Sequence, residues 1–371
     1  MRKLRLLILV PAALLVMSCG ADVRSFGEST IQFVRSILGN SESPEYKILK
    51  SYDPELSDAA IYLVGDPEAC ALAAAELVGA DDRDNIDGTF EPDRLPDFAG
   101  ERIASFADVA NGPHDSLVLE GKGDFLRELI VRSVLKTVDT LCYVSPFDVE
   151  GIGHKSAAKL VVLADPAAAF YGVYDVDSLL LASSCNLPVV SPLFTLSREL
   201  VCSDNLTVGV LTSRTRVASG IYSDVFVKAA TAGGFKGLEC VAFPEQGDGD
   251  LLISYLDQYL ESGISRPLSF LLVDVPGADL EQMGQTLERV RSVMNEESLR
   301  YASCMAPDFR IVETGPTLRS ECYRILRERN IFTHRIAMPS EEHYLNVSRS
   351  ATLDSLQTNV LIEYNSRYIP E

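Results

Sequence analysis

The sequence is poor in basic residues. Its 371 residues include 33 Lys and Arg against 53 Asp and Glu, which gives a formal net charge of −20. Proteins that bind nucleic acid or lie flat on an anionic membrane need clustered Lys and Arg to neutralise phosphate groups. We therefore exclude nucleic acid as a partner. The hydrophobic content of 47% is that of a folded globular protein, and a chain of this length needs no disulfides or metals in order to fold.

The usual signatures of metal and cofactor sites are missing. The four histidines are scattered, with no HExxH motif and no pair at helical spacing, so we expect no metal site. The chain has no GxSxG motif, no GxxxxGK(S/T) phosphate loop and no GxGxxG motif after a strand. We therefore expect no cofactor, and a binding protein is favoured over an enzyme.

Cysteine is infrequent and irregularly spaced. Seven cysteines follow Cys19, and none of them forms a CxxC motif. Cys142, Cys240 and Cys322 fall in apolar stretches, where a buried free thiol is the usual state. One or two disulfides are compatible with an exported protein, and their pairing does not follow from the sequence.

The apolar run at the N-terminus is too short for a membrane span. Leu6–Met17 has twelve residues, whereas a spanning helix needs about 20. The run follows three basic residues, as the apolar part of a secretory signal does. The segment Val16-Met17-Ser18-Cys19 resembles the lipobox of bacterial lipoproteins. This resemblance implies a signal peptide over residues 1–18 and a lipidated Cys19. The alternative is a plain signal peptide with an incidental Cys.

Lipidation of Cys19 would anchor the protein to a membrane of the bacterial cell envelope. Gly20 stands where some lipoproteins have an Asp that retains them at the inner membrane, so the outer membrane is favoured. We expect residues 19–50 to contain the lipidated Cys and a tether. The apolar pattern from Ile31 to Leu38 predicts a short amphipathic helix there, with a plain linker as the alternative.

From Asp58 onward, short apolar runs alternate with longer amphipathic stretches. Most of the short runs are continuously hydrophobic, as strands are when a parallel sheet is covered on both faces. The pattern predicts an α/β fold with two doubly wound, mostly parallel-sheet lobes and a cleft between them. We place the first lobe at residues 51–203, the second at 204–332 and a C-terminal segment at 333–371, for which a return to the first lobe is one arrangement. The predicted strands are 60–64, 140–144, 159–163, 187–190, 206–211, 237–242, 268–273 and 309–312, and residues 81–113 are predicted to be irregular.

Ligands of open α/β sheets bind beyond the carboxyl ends of the strands, where loops and helix N-termini meet. In the segment Thr212–Thr215, hydroxyl groups and Arg214 are able to hold a carboxylate or phosphate group. The alternative is that these residues, like Asp165, only cap the helices that follow them. The candidate ligand-binding residues are Ser145, Asp165, Thr212, Ser213, Arg214, Thr215, Asp274 and Thr314.

Two families resemble parts of the chain. Residues 187–192 (LPVVSP) and 206–211 (LTVGVL) are similar to the interlobe region of type I periplasmic solute-binding proteins, which implies a small ligand between two lobes. Residues 208–222 (VGVLTSRTRVASGIY) resemble a stretch of the aspartate/glutamate racemases. Those enzymes use two opposed thiols, each just after a strand, and at the corresponding places this chain has Asp165 and Asp274. A racemase-like reaction would therefore need two carboxylate bases, one of them with a raised pKa.

Three hypotheses follow from these patterns. The preferred one is a membrane-anchored lipoprotein that binds a small polar ligand in the interlobe cleft. The first alternative is a racemase-like isomerase that acts on a small amino or carboxylic acid, with Asp165 and Asp274 as its candidate catalytic residues. The second alternative is a non-catalytic structural or interaction lipoprotein of the envelope.

Overall fold

The computed structural model describes residues 30–53, 57–85, 88–145, 148–247, 249–292, 296–333, 335, 337–346 and 361–363. Residues 1–29, with the expected signal peptide and Cys19, lie outside the described residues. In the part of the chain that is described, no helix is both long enough and apolar enough to cross a membrane.

Strands and helices alternate along most of the described chain. The strands are β1 (Ala60–Gly65), β2 (Arg102–Asp108), β3 (Leu141–Ser145), β4 (Asp148–His154), β5 (Ala158–Leu163), β6 (Val189–Val190), β7 (Thr207–Thr212), β8 (Glu239–Pro244), β9 (Leu268–Asp274), β10 (Met305–Val312), β11 (Ser340–Asn346) and β12 (Leu361–Glu363). The helices are α1 (Gln32–Leu38), α2 (Pro44–Lys50), α3 (Pro67–Val78), α4 (His114–Leu119), α5 (Gly123–Val138), α6 (Pro166–Ser183), α7 (Pro192–Leu200), α8 (Arg214–Ser219), α9 (Ile221–Gly233), α10 (Leu251–Glu261), α11 (Leu280–Arg291), α12 (Glu296–Tyr301) and α13 (Gly315–Glu328).

The strands form two sheets. Within the described residues, the first sheet has the order β4-β3-β12-β11-β2-β1-β5-β6 and the second has the order β10-β9-β7-β8. Every pair in the second sheet is parallel. In the first sheet the run from β11 to β6 is also parallel, whereas β12 is antiparallel to β11 and β4 is antiparallel to β3. The predicted α/β class with two mostly parallel sheets is thus confirmed.

The local sequence explains why several strands are followed at once by helices. Every residue of β1, β5 and β7 is buried, which matches their continuous hydrophobic runs. An Asp-Pro pair follows both β1 and β5, and the prolines begin α3 and α6, where the missing amide hydrogen costs no helical bond. Asp165 also caps α6, because its carboxylate accepts a hydrogen bond from the amide of Ala168 at 2.6 Å. The predicted capping role of Asp165 is therefore present.

The prediction of irregular structure over residues 81–113 is wrong at its C-terminal end, where β2 lies. Alanine and serine are weak strand formers, and they occupy three of the central positions of β2. Tertiary pairing overrides this local preference, because β2 lies between β1 and β11 with Ser340 opposite Arg102. Through β11, the C-terminal segment contributes a strand to the first sheet. The strand β4 was also not predicted.

The largest hydrophobic core is shared between the two sheets. It contains Val64 and Phe106 from the first sheet, and Val208, Val210 and Phe270 from the second. The last described helix, α13, follows the second sheet but packs against α3 of the first lobe. The lobes are therefore joined by packing as well as by the chain.

The N-terminal helices belong to the folded body. Val34 and Ile37 of α1 and Leu49 of α2 are buried in the shared core. In addition, the backbone amide of Ile31 donates a hydrogen bond to Asp175 Oδ1 at 2.9 Å. The amphipathic pattern does form a helix, and residues 31–50, expected to be part of a tether, pack against α5 and α6.

Candidate functional site

Polar side chains gather where the two sheets present the carboxyl ends of their strands. In the first lobe, Asp108 ends β2, and Asp66 and Asp165 follow β1 and β5 closely. In the second lobe, Thr212 ends β7 and Asp274 ends β9, and Glu313 directly follows β10. This is the edge at which open α/β sheets bind ligands.

A cavity of about 220 Å³ lies between the lobes at this edge. The first lobe lines it with residues of α3 and with the first residues of α6 and α7, including Glu76 and Pro192. The second lobe contributes Arg216, Asp274, Glu313 and Thr314, among others. Drug-sized ligands occupy pockets of about 300–1,000 Å³, so this cavity suits a smaller molecule.

Asp274 is the centre of a hydrogen-bonded group in the second lobe. Its Oδ2 accepts hydrogen bonds from Arg216 Nη1 at 2.5 Å and from Thr212 Oγ1 at 3.2 Å. The Tyr222 hydroxyl donates to the same oxygen. Burial and the Asp274 carboxylate together raise the pKa of Tyr222, which keeps this phenol protonated and able to donate. Asp274 is therefore held in place by three donors on the cavity wall.

His114 is the centre of a second group, in the first lobe. Its Nδ1 lies 2.9 Å from Asp165 Oδ2, and its Nε2 lies 3.3 Å from Asp108 Oδ2. Its backbone amide donates to Asp66 Oδ1 at 3.0 Å, and the amide of Asp66 donates to Asp165 Oδ2, also at 3.0 Å. All four residues are buried, and none of them lines the cavity.

The contacts in the group centred on His114 shift the pKa values of its members in different directions. Burial alone would lower the pKa of His114, but the adjacent carboxylates, Asp165 first, outweigh burial and hold this pKa well above its usual value. Burial and the neighbouring Asp165 carboxylate raise the pKa of Asp66 to about 7. Burial also works to raise the pKa of Asp165, but His114 and two backbone amides outweigh it and lower this pKa.

Two adjacent residues connect the groups. Asp115 follows His114 on α4 and accepts a hydrogen bond from Arg216 Nε at 3.2 Å. Arg216 thus binds Asp115 of the first lobe and Asp274 of the second at the same time. Polar contacts therefore join Asp165 to His114 in one group and Asp115 through Arg216 to Asp274 in the other, and the backbone between His114 and Asp115 connects the two.

Glu313 differs from the other acidic residues of the cavity. Arg216 neutralises Asp274, and Arg319 pairs with Glu76. Among the described residues, Glu313 has neither a hydrogen-bond partner nor an ion-pair partner. Burial, and then the nearby Glu76 carboxylate, raise the pKa of Glu313, and the positive charge of Arg319, which forms its ion pairs with Glu76 and Asp82, offsets only part of this rise. The acidic side of the cavity is therefore only partly compensated.

The structure brings some of the predicted site residues together and separates others. Asp165, Thr212 and Asp274 belong to the polar network, and Thr314 lines the cavity. Ser213 caps α8 by accepting a hydrogen bond from the amide of Arg216 at 3.3 Å.

The remaining predictions fall elsewhere. Arg214 and Thr215 are exposed and do not line the cavity. Ser145 ends β3, near the far edge of the first sheet and away from the strands that carry the network.

The predicted site does not include four residues that the structure brings into it: Asp108, His114, Asp115 and Arg216. Asp66 and Glu313 each follow a strand, the signal that identified Asp165. Arg216 lies two positions beyond Arg214, and only the start of α8 determines which arginine faces the cavity. Asp108 ends β2 and His114 follows it, and the local sequence gives no strong signal for this strand.

No protein-family model matches the chain, and no curated protein matches it by sequence. Solved structures do resemble its fold. A glutamate racemase from Francisella tularensis subsp. tularensis, in complex with D-glutamate, is 14% identical to this chain. The superposition covers 80% of this chain and 90% of the racemase chain, with a TM-score of 0.48. Glutamate racemase isoform RacE1 from Bacillus anthracis is 14% identical, covering 79% and 90%, with a TM-score of 0.45. Arylmalonate decarboxylase is 14% identical, covering 72% and 92%, with a TM-score of 0.32. The racemases are the group named by the second of the two sequence resemblances.

Proposed function

We propose that the protein binds a small polar ligand carrying an amino group in the interlobe cavity. The observation that supports this proposal is the Glu313 carboxyl, which forms no hydrogen bond or ion pair with the described residues, in a cavity whose two nearby arginines are already bound to other carboxylates. An ammonium group next to Glu313 would supply a positive charge in direct contact with it, and charge-assisted hydrogen bonds of this kind are among the strongest in proteins.

The lining of the cavity supports a ligand of about amino-acid size. The apolar side chains of Ala69, Ala73 and Leu318 face it, and Asp274 and Thr314 add acceptor and hydroxyl groups. Because both lobes contribute to the wall, a bound ligand would contact both and hold them together. Such a ligand is expected to stabilise the native fold.

A thermal-unfolding screen of amino acids and small amines tests this proposal. A ligand at about 100 times its Kd should add about 2.7 kcal/mol to the free energy of unfolding. Glu313→Gln should abolish the shift, because the amide has no charge to pair with the ammonium group. Glu261→Gln, at an exposed position of α10 outside the cavity, is the matched control and should bind like the native protein. Absence of a shift with every amine would contradict the proposal.

A second candidate is a racemase-like isomerase for a small amino or carboxylic acid. One observation favours it: Asp165 and Asp274, the two candidate bases, belong to two polar groups that the adjacent residues His114 and Asp115 connect across the lobe interface. Against it, Asp165 caps α6 and does not line the cavity, so its carboxylate would have to move to reach a substrate.

Isotope exchange separates the two candidates. An isomerase should introduce solvent deuterium at the α-carbon of its substrate, and Asp165→Asn and Asp274→Asn should each stop that exchange. A binding protein should give a thermal shift with no incorporation of deuterium.

The N-terminal sequence supports a proposal on location. We propose that Cys19 is lipidated and holds the protein on a membrane of the cell envelope, with the outer membrane favoured. The support is the lipobox-like segment after a twelve-residue apolar run. The acidic body would then stand off the anionic membrane surface.

A further inference from the structure

A compact group of potential metal ligands lies at the carboxyl ends of β1 and β5. Asp66, His114 and Asp165 each offer one ligand atom, and these atoms lie within 4.8 Å of one another. All three side chains are buried. None lines the interlobe cavity, so the small ligand proposed above does not account for this group.

The spacing of the three atoms suits a small cation. His114 Nδ1 is 2.9 Å from Asp165 Oδ2 and 3.8 Å from Asp66 Oδ1. Nitrogen and oxygen ligands lie about 2.0–2.2 Å from a tetrahedral zinc ion, and therefore about 3.4 Å from one another. The two separations in the protein bracket this value, so small side-chain shifts would bring the three atoms onto one ion.

The second ring nitrogen of His114, Nε2, contacts a carboxylate that would orient the ring for metal binding. Nε2 faces Asp108, whose Oδ1 accepts hydrogen bonds from Asn111 Nδ2 at 2.9 Å and from Asn346 Nδ2 at 3.1 Å. When Nε2 carries the hydrogen, the neutral ring presents the Nδ1 lone pair to Asp66 and Asp165. A carboxylate on the second ring nitrogen is the usual partner of a histidine that binds metal.

The charge of the group also favours a cation. Three carboxylates, Asp66, Asp108 and Asp165, surround one imidazole, and no Lys or Arg of the described chain forms an ion pair with any of them. A doubly protonated His114 would still leave the buried group negative. Buried charges are costly unless they are paired, and a divalent ion supplies more positive charge than one proton.

Two glycines let the backbone approach the carboxylates closely. A Cβ atom on Gly65 would lie 2.5 Å from Asp165 Oδ2, and one on Gly112 would lie 2.8 Å from Asp66 Oδ1. Both distances are too short for any other residue type without a shift of the carboxylate. The glycines therefore leave the space in which the two oxygens lie close to His114.

We propose that Asp66, His114 and Asp165 bind one divalent transition-metal ion of the zinc type, with Asp108 as a positioning residue. One imidazole and two carboxylates form a donor set that suits such ions. The ion would fix the start of α4, where Asp115 binds Arg216 of the second lobe. The expectation of no metal site does not foresee this group, because its donors come from three distant parts of the sequence.

Metal analysis of the purified chain tests the proposal directly. The full chain is stripped with a chelator, incubated with Zn²⁺ or Co²⁺, separated from free ion, and analysed by mass spectrometry of the elements. We expect one ion per chain, visible absorption bands for bound Co²⁺, and a higher unfolding temperature with Zn²⁺ than with chelator. A native chain that retains no ion would overturn the proposal.

Variants locate the ion. Asp66→Asn and His114→Gln should abolish stoichiometric binding, and Asp108→Asn should weaken the affinity about 10–100-fold. His343→Gln, at a histidine outside the group, is the matched control and should bind like the native chain. Circular dichroism identifies any variant that fails to fold. If a variant does not fold, the metal content and unfolding temperature of the native chain decide whether the proposal holds. Stoichiometric binding by folded Asp66→Asn and His114→Gln would exclude this site.

Discussion

Arg216 carries the electrostatic link between the lobes. Its guanidinium binds Asp115 and Asp274, and it is only 9% exposed. Removing one partner of a buried ion pair leaves an uncompensated charge, which costs about 3–5 kcal/mol. We therefore expect Arg216→Ala to lower the free energy of unfolding by roughly that amount, as measured by urea denaturation.

Arg214 provides the control for this prediction. It lies on the same helix and is exposed, so Arg214→Ala should change the stability by no more than about 0.5 kcal/mol. Similar losses in the two variants would show that the contacts of Arg216 are not important for stability.

Lys155 makes the stability depend on pH. Its ammonium group is buried and bonded to the Tyr62 hydroxyl at 3.3 Å and to the backbone carbonyls of Asp139 and Thr137. Burial lowers the pKa of Lys155 from 10.5 to about 7. Between these two values the unfolded chain binds more protons than the native chain, so this lysine makes the protein more stable as the pH rises.

Comparison with Lys155→Met isolates this contribution. Between about pH 7 and about pH 10, the free energy of unfolding of the native protein should rise relative to that of Lys155→Met. The rise should be up to about 1.4 kcal/mol per pH unit. Urea denaturation at several pH values measures it. Parallel curves for the two proteins would contradict the lowered pKa.

The individual site residues differ in how far the sequence reveals them. Asp165 and Asp274 follow long hydrophobic strands, so their place at the sheet edge could be predicted. Arg216 could not be distinguished from Arg214, because the direction of each side chain depends on where α8 begins. His114 depends on β2 and on the loop after it, neither of which has a strong local signal.

Among the helices, α1 offers the clearest test of whether the N-terminal segment packs against the shared core. Ile37 is buried against the shared core, so Ile37→Ala should lower the free energy of unfolding by about 2–5 kcal/mol. Arg35→Ala, at an exposed position on the same helix, should have little effect. Urea denaturation of a chain that lacks residues 1–18 provides the measurement. Equal stabilities of the two variants would mean that this segment is a free tether.

Among the strands, some are predicted well from the sequence and others are not. The strands β1, β5, β7 and β9 are continuously hydrophobic and are predicted almost to the residue. The strands β2 and β11 are rich in small or charged residues, and they form because each pairs with the other over its whole length. Contacts between residues more than two hundred positions apart leave no local pattern to read.

At the scale of the whole molecule, the alternation of strands and helices was sufficient to predict the α/β class and the two sheets. The core shared by both sheets was not foreseeable, because it depends on how α6, α7 and α9 pack together.

The proposed anchor is also a property of the whole molecule. In the cells that naturally produce the protein, Cys19→Ala should move it from the membrane fraction to the soluble fraction, because the acceptor thiol for the acyl chains is lost. Immunoblots of the two fractions measure this. Membrane association of Cys19→Ala equal to that of the native protein would contradict lipidation at this residue.

Binding of a small amine in the interlobe cavity through Glu313 is tested most directly by isothermal titration calorimetry. The amino acid or amine with the largest thermal shift is titrated into the native protein, Glu313→Gln and Glu261→Gln. We expect one site per chain in the native protein and in Glu261→Gln, and no detectable heat of binding in Glu313→Gln. Equal affinity in all three proteins would contradict it.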